Sequence, residues 1–377
     1  MKIRKIEGIF LFAPFERKLG NSLVWFAGKS ANYLKVQLAD GVTGYGEAFG
    51  FDREPLAHVM QALFPCFANF QFETWEDIDD QLQRTLPATV PVGIRKRLES
   101  ALNLAYWDIQ GKIENKPVCE LFGGKPKTRI PVYGTGLFYR EVPSHKDQLP
   151  LLLPEMRRFI AAGYHGIKMK AGRYPAQDEA WLIGQIKKEL PSTMSLMVDA
   201  NCGMRSMEET RELMQRLEQI GVKWLEEPFS PDAYGQYKEA CAGRNHLAIA
   251  AGENEYAFEG FPKLIAAGVT VLQPELSLCG GFSRLPALIE LAGKHGVQLT
   301  PHVWGSGILY GATLNFYSML GGAHLLPYEC PFLDDPLRDR CFTHIAIKNG
   351  FIDAPAGPGL GVEFNEAELG KYVTLTV

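Results

Sequence analysis

Alternation of apolar and polar positions dominates the first fifty residues. Met1–Ala13 and Ser30–Leu38 alternate with a period of two, as half-buried strands do. Asp40-Gly41 offers a hairpin turn into a third strand, Val42–Ala48. Between the first two strands, Pro14–Lys29 has the character of a polar and aromatic loop. From Arg53 to Lys116 the period turns helical, most clearly over Ile94–Ile113. Pro117 and Gly123-Gly124 then interrupt the chain, and a domain boundary is expected near Lys125.

Beyond that boundary short apolar runs alternate with helical stretches. The runs are Ile130–Tyr133, Gly166–Met169, Ser195–Val198, Val222–Leu225, Leu247–Ala251, Val269–Gln273, Val297–Pro301 and Ala323–Tyr328. Eight strands in this rhythm predict parallel βαβ units. Residues 126–350 approach the roughly 250 residues of a TIM barrel. A doubly wound sheet is the alternative. It usually carries a glycine-rich phosphate loop, of which Tyr133-Gly134-Thr135-Gly136 is only a fragment.

Composition narrows the function classes. The chain has 377 residues, 46% hydrophobic and 22% charged, enough for a large buried core. A formal charge of −4 is too mild to imply a nucleic-acid partner. Neither a signal peptide nor a bilayer-spanning run is expected. The seven cysteines are scattered without a CxxC pair, which suits a reducing cytoplasm.

Charged residues fall at the ends of the expected strands. Lys168 and Lys170 lie on the second, Asp199 on the third, Glu226 on the fourth, Glu253 on the fifth, Glu275 after the sixth, His302 on the seventh and Glu329 on the eighth. Asp199 to Glu226, Glu226 to Glu253, Glu275 to His302, and His302 to Glu329 are each 27 residues apart. One βα unit per step collects all of them at the C-terminal face of the barrel, where barrel active sites lie. A single carboxylate after a strand is more often a helix cap, but repetition at one register is poorly explained by capping. Asp199, Glu226 and Glu253 offer oxygen alone, which favours Mg²⁺ over zinc. Lys168 and Lys170, two apart on a strand, share a face. A cation beside a lysine lowers its pKa and makes it a credible base. Glu275 is placed to accept a hydrogen bond from His302 and fix its tautomer.

These residues resemble the enolase superfamily, whose Lys or His base and Mg²⁺-stabilised enediolate are an established pattern. The resemblance extends over nearly the whole chain, including Gly44-Tyr45-Gly46-Glu47, Ala105–Lys112 and Gly357-Pro358-Gly359-Leu360-Gly361. Lys168-Met169-Lys170 with His302 is similar to the mandelate racemase subgroup. The subgroup with lysines on both sides would have Lys near position 275, where this chain has Glu. The resemblance implies a (β/α)7β barrel over 126–350, an α+β N-terminal capping domain over 1–125, and a tail, 351–377, that returns to the cap. It implies Lys170 as base on one face and His302 as base or acid on the other. Lys168 would neutralise the substrate carboxylate, and Glu329 would hydrogen-bond it as charge builds. Asp199, Glu226 and Glu253 would hold Mg²⁺, and Asn201 would contact an α-hydroxyl. One departure is Glu275, where the subgroup commonly has Asp, shorter by one methylene.

The implied substrate is a small carboxylate. Dehydration of an acid sugar is favoured over racemisation of an α-hydroxy acid, and a non-catalytic binding protein is the remote alternative. Trp304 and Ser306 are candidate pocket residues. Loops around Phe15–Phe26 and Phe49–Arg53 would close over the site with Phe15, Trp25, Phe26, Phe49 and Phe51. Arg17, Lys18 and Arg53 either meet a second carboxylate or are solvated. Further copies of the chain are the expected protein partner.

Overall fold

The computed structural model describes all residues except 51–52, 243–245, 322–325 and 344. The N-terminal part is an antiparallel sheet of β1 (Ile3–Gly20), β2 (Trp25–Leu38) and β3 (Thr43–Ala48), with α1 (Arg53–Leu63), α2 (Trp75–Thr85) and α3 (Val92–Glu114) packed on it. Pro14–Lys29 is not a loop. β1 and β2 continue as a long hairpin whose register shifts between Pro14 and Leu19. The proline has no N–H for the ladder, so it sits at the irregularity, and pairing resumes beyond it. The turn is closed by Asn21 Oδ1, which accepts from the amides of Leu23 and Val24 at 2.9 and 2.8 Å. Gly20 and Tyr139 then exchange two backbone hydrogen bonds of 2.9 Å, tying the hairpin tip to the second half of the chain.

Among the described residues, that half contains eight parallel strands. They are β4 (Ile130–Thr135), β5 (Gly166–Lys170), β6 (Ser195–Asp199), β7 (Trp224–Glu226), β8 (Ala248–Ala251), β9 (Val271–Leu272), β10 (Gln298–Leu299) and β11 (Tyr328–Pro331). The ladder runs β10-β9-β8-β7-β6-β5-β4, and β11 pairs with β4 on its other edge. Seven helices follow the first seven strands: α4 (Leu149–Ala161), α5 (Ala176–Glu189), α6 (Met207–Ile220), α7 (Tyr234–Ala242), α8 (Gly260–Ala266), α9 (Leu285–His295) and α10 (Gly307–Met319). This is the (β/α)7β order. Local sequence sets the helix limits. Ser206 caps α6 by accepting from the Glu209 amide, and Gly221 ends it at φ 79°. The eighth strand was expected over Ala323–Tyr328, but it begins at Tyr328, where pairing with Val132 starts. Residues 323–325 of that expectation lie outside the described residues, as does Phe51. No helix among the described residues is long and apolar enough to cross a membrane.

Tyr133, Met197, Trp224, Ala250, Val271 and Leu326 form an apolar cluster, with the Tyr133 and Trp224 rings 5.6 Å apart. Asp199 and Glu226 stand on two of the same strands, and Lys168 on β5 between β4 and β6.

Within the cap, two glycines of β3 stand where no other side chain has room, and Asp108 then ties the cap to the tail. Cβ atoms at Gly44 and Gly46 would lie 2.4 Å from Ala105 O and 1.8 Å from Ala101 O, so β3 lies directly on the α3 backbone. Asp108 of α3 accepts from Tyr45 N (2.9 Å), Lys112 Nζ (2.7 Å) and Leu360 N (2.8 Å), linking cap strand, cap helix and tail. The tail ends as β12 (Val373–Thr376), antiparallel to β1. Gly46→Ala is expected to destabilise the fold by about 1–3 kcal/mol through overpacking. Gly235→Ala, in open space on α7, should instead gain about 0.5–1 kcal/mol. Urea unfolding midpoints of the two variants measure both.

Candidate active site

The C-terminal ends of β6, β7 and β8 bring Asp199, Glu226 and Glu253 together. One carboxylate oxygen of each lies within 4.8 Å of the others, and all three residues are buried. Glu253 Oε2 accepts no hydrogen bond among the described residues. It forms an ion pair with His302 Nε2, at 3.4 Å. Buried carboxylates this close repel one another unless a cation intervenes. Burial, offset in part by Lys168, and then Asp199 and Glu253 push Glu226 up to about 8. Burial pushes Glu253 up to about 7 against the attraction of His302. An all-oxygen set with a buried oxygen that accepts no hydrogen bond among the described residues fits a hard divalent cation.

Two lysines of β5 face this cluster. Lys168 Nζ donates to Glu226 Oε1 at 2.5 Å and pairs with Glu329 Oε1 at 2.7 Å. Burial opposes its charge, but Glu226 and Glu329 outweigh it and hold Lys168 well above the usual lysine range. The expectation that a neighbouring cation lowers a lysine here therefore fails for Lys168, because its immediate neighbours are carboxylates. Lys170 Nζ donates to Asp199 Oδ2 at 2.5 Å and lies 4.9 Å from the Phe138 ring centroid. Despite burial, Lys170 and Lys168 pull Asp199 below the ordinary carboxylate range.

His302 stands on the other side, just beyond β10. Its Nδ1 is 2.8 Å from Glu275 Oε2. The extra methylene of Glu275 does not prevent the dyad, since Glu275 Oε1 is held by Ser277 N (2.9 Å) and Ser277 Oγ (2.5 Å). Burial would discharge the imidazole. Glu253 and the Glu275 hydrogen bond reverse this and raise His302 to about 10. Glu329 Oε1 accepts from Thr135, and Oε2 from Val303 N at 3.2 Å.

Lys170, Asn201, Glu253, His302 and Trp304 line one cavity of about 880 Å³. Asn201 has φ 42°, its backbone amide donates to Asp199 Oδ1 at 2.8 Å, and its own Oδ1 is buried without a hydrogen-bond partner among the described residues. Phe26 and Phe49 also line the cavity, whereas Phe15 packs on Phe332 and Trp25 lies under Arg173. Ser306 does not reach the cavity. It caps α10 and is fully engaged with Glu47, whose carboxylate accepts from Ser306 N, Ser306 Oγ and Leu309 N at 2.8–3.2 Å. Arg17, Lys18 and Arg53 are exposed and do not line it. Solvation is their outcome.

Sequence reasoning passed over several residues of the site. Gln273 Nε2 donates to Glu226 Oε2 at 2.6 Å, and Asn254 Nδ2 to Glu227 Oε2 at 2.6 Å. Asn254 adjoins Glu253, and Gln273 lies two residues before Glu275, so both stand beside positions that the strand-end pattern marks. Phe138 had no such signal. It packs against Phe26 and Trp304 at 5.7 and 5.8 Å.

The raised groups give the metal-free protein a pH signature. Glu226 and Glu253 bind protons more tightly folded than unfolded, so their contribution is lost as pH rises from about 4.5 through about 8 and 7. His302, raised from 6.5 to about 10, loses its contribution over that span. All three have the same sign between pH 6 and 8. In chelator the melting temperature should be lower at pH 8 than at pH 6, and Glu226→Gln should narrow the gap. An unchanged gap in that variant would contradict the assignment.

Residues 152–368 match the family described as "Enolase C-terminal domain-like", and residues 25–123 match "Mandelate racemase / muconate lactonizing enzyme, N-terminal domain". A D-galactarolactone cycloisomerase of Agrobacterium fabrum (strain C58) is 29% identical over 99% of both chains. An arabinonate dehydratase of Saccharolobus solfataricus is 28% identical over 90% of this chain and 89% of its own. A racemase from Streptomyces coelicolor A3(2), solved with bound magnesium, has a TM-score of 0.83 at 24% identity and 99% coverage of each chain, a likeness of fold. With both halves of the chain matched, the protein belongs to the mandelate racemase / muconate lactonizing enzyme group of the enolase superfamily.

Proposed function

We propose that this protein is an acid-sugar dehydratase that removes the proton α to a carboxylate and expels the β-hydroxyl as water. The observation that carries this reading is that Lys170 and His302 line one cavity, with His302 Nδ1 held by Glu275 at 2.8 Å so that its Nε2 is the nitrogen left for the substrate. Dehydration needs a base at the α-carbon and an acid at the departing oxygen, and this pair supplies one of each. Lys170 takes the α-proton. His302 gives its Nε2 proton to the β-hydroxyl as the Cβ–O bond breaks. The resulting enol tautomerises to a 2-keto-3-deoxy acid.

Asp199, Glu226 and Glu253 would hold Mg²⁺, which when bound supplies Lewis-acid stabilisation of charge developing on the substrate carboxylate. Lys168 stays charged under Glu226 and Glu329 and offers a fixed positive group to the same carboxylate. Glu329, oriented by Thr135 and Val303 N, contributes a hydrogen-bonding carboxyl there. Asn201 presents its unpaired Oδ1 to a hydroxyl.

A second reading is favoured by the aromatic side of the cavity. Phe26, Phe138 and Trp304, with ring centroids 5.7–5.9 Å apart, form an apolar wall beside Lys170. Such a wall suits the C–H face of a ring-closed acid sugar. The leaving group would then be the ring oxygen, and the reaction an isomerisation without loss of water. The division of the chain at residues 125 and 350, assembly into a homo-oligomer and residence in the cytoplasm are part of the proposal. Light scattering should give a multiple of 42.0 kDa.

Calorimetric titration of Asp199→Asn, Glu226→Gln and Glu253→Gln should each show Mg²⁺ affinity weakened by about tenfold or more. Unchanged affinity in all three would remove the metal assignment. On an acid-sugar library, the wild type should yield a 2-keto acid that semicarbazide traps. Lys170→Ala and His302→Asn should each lower kcat by about 10²–10⁴-fold. If an α-hydroxy acid loses optical rotation while no library member yields a keto acid, racemisation replaces elimination.

A further inference from the structure

The cavity continues beyond Lys170 and His302. Its volume of about 880 Å³ lies near the top of the ~300–1,000 Å³ typical of sites for drug-sized ligands. That is more room than a single six-carbon acid needs. Its outer part is lined by groups with no role in the proton chemistry. Asp232 and Tyr234 come from the segment after β7, and Glu255, Tyr256 and Lys263 from the segment after β8.

Glu255 is only 6% exposed and is not one of the three converging carboxylates. It accepts from Tyr234 Oη, at 3.1 Å through Oε1 and 3.3 Å through Oε2. The carboxylate fills space that a glycine at 260 leaves open, since a Cβ there would be 1.7 Å from Glu255 Oε2. Lys263 Nζ lies 5.3 Å from the Tyr234 ring centroid. The ring of Tyr256 rests near Gly93 of the cap helix, 3.3 Å from where a Cβ would stand, and the residue is 38% exposed. These groups together provide hydroxyl acceptors, a lysine donor and an accessible aromatic face, the combination that binds a sugar ring. Asp232, Glu255 and Glu259 outnumber Lys263 and Arg97 among the charged residues here. Burial pushes Glu255 up to about 7, and even without its charge Asp232 and Glu259 balance Lys263 and Arg97. No surplus of positive charge is left to draw a second carboxylate, and an uncharged hydroxylated group is the compatible occupant.

We infer that the outer part of the cavity is a subsite for a neutral glycosyl unit, so that the preferred substrate is an acid sugar carrying a second sugar away from the reacting carbon. This rests on the reading of the inner part as an acid-sugar site.

The test uses the full-length Mg²⁺-loaded enzyme and follows 2-keto acid formation and binding calorimetry. The panel comprises gluconate and galactonate, the diacids glucarate and galactarate, and the aldobionates cellobionate, maltobionate and lactobionate. At least one aldobionate should exceed its parent aldonate about tenfold in kcat/KM, acting through KM, and the diacids should fall below the aldonates. Tyr256→Ala and, separately, Lys263→Met should bring the aldobionate-to-aldonate ratio down towards one. If aldonates react and aldobionates gain nothing, or if neither variant moves the ratio, the outer part is only an entrance and the subsite is overturned. If no acid in the panel reacts or binds, the acid-sugar reading falls along with it.

Discussion

Five carboxylates and three cationic side chains share one desolvated layer at the C-terminal end of the barrel, and this concentration of buried charge constrains the rest of the molecule. A lone buried charge is costly, and a pair repays the cost only when geometry and hydrogen bonds are good. The layer meets that condition by dividing its members. Lys168 bridges Glu226 and Glu329, Lys170 pairs with Asp199, and His302 lies between Glu275 and Glu253. Glu253 Oε2 is left without a hydrogen bond and Glu226 is pushed towards protonation. The three converging carboxylates are the ones a divalent cation would satisfy, and the other members of the layer each have an oppositely charged or hydrogen-bonded partner.

Strands alone cannot hold such a layer dry. The cap does so through a few buried contacts that reach into the barrel half. Glu47 of β3 accepts hydrogen bonds at the start of α10, in the segment that follows His302 and Trp304. Lys29 of β2 forms a buried ion pair with Asp335, and its ammonium lies 5.7 Å from the Trp304 ring centroid. The hairpin tip is bound by the Gly20–Tyr139 bridge and by Ser22 Oγ donating to Ala200 O at 2.6 Å. Phe26 and Trp304 meet across this junction at 5.9 Å. Cap position and cavity shape are thus set by the same residues, so changes in the hairpin should alter substrate choice more readily than proton chemistry.

The cavity is chemically divided as well. Aromatic rings line one side near Lys170, while polar groups after β7 and β8 line the outer part. Barrel loops can vary in this way because the strands beneath carry the charge layer. Chemistry and selectivity are consequently carried by different parts of each βα unit, the strand end for the first and the following loop for the second.

The sequence by itself determined the periodic features. Parallel strands in βαβ units repeat at a near-constant interval, so the 27-residue spacing of Asp199, Glu226 and Glu253, and of Glu275, His302 and Glu329, places these residues at one end of the barrel. Lys168 and Lys170 shared a face because strand side chains alternate. Tertiary structure decided what has no period. The hairpin through Pro14–Lys29 was hidden because its proline breaks the ladder while pairing continues beyond. Ser306 caps its helix and is turned from the cavity to a carboxylate more than 250 residues away, Glu47. The high pKa of Lys168 arises from carboxylates on two other strands. Phe138 joins the aromatic wall, and Glu255 faces Tyr234, only because separate loops converge over the barrel. Periodicity is a property of each strand and helix and is written locally, whereas burial, charge pairing and cavity shape depend on residues far apart in sequence and exist only once the chain has packed.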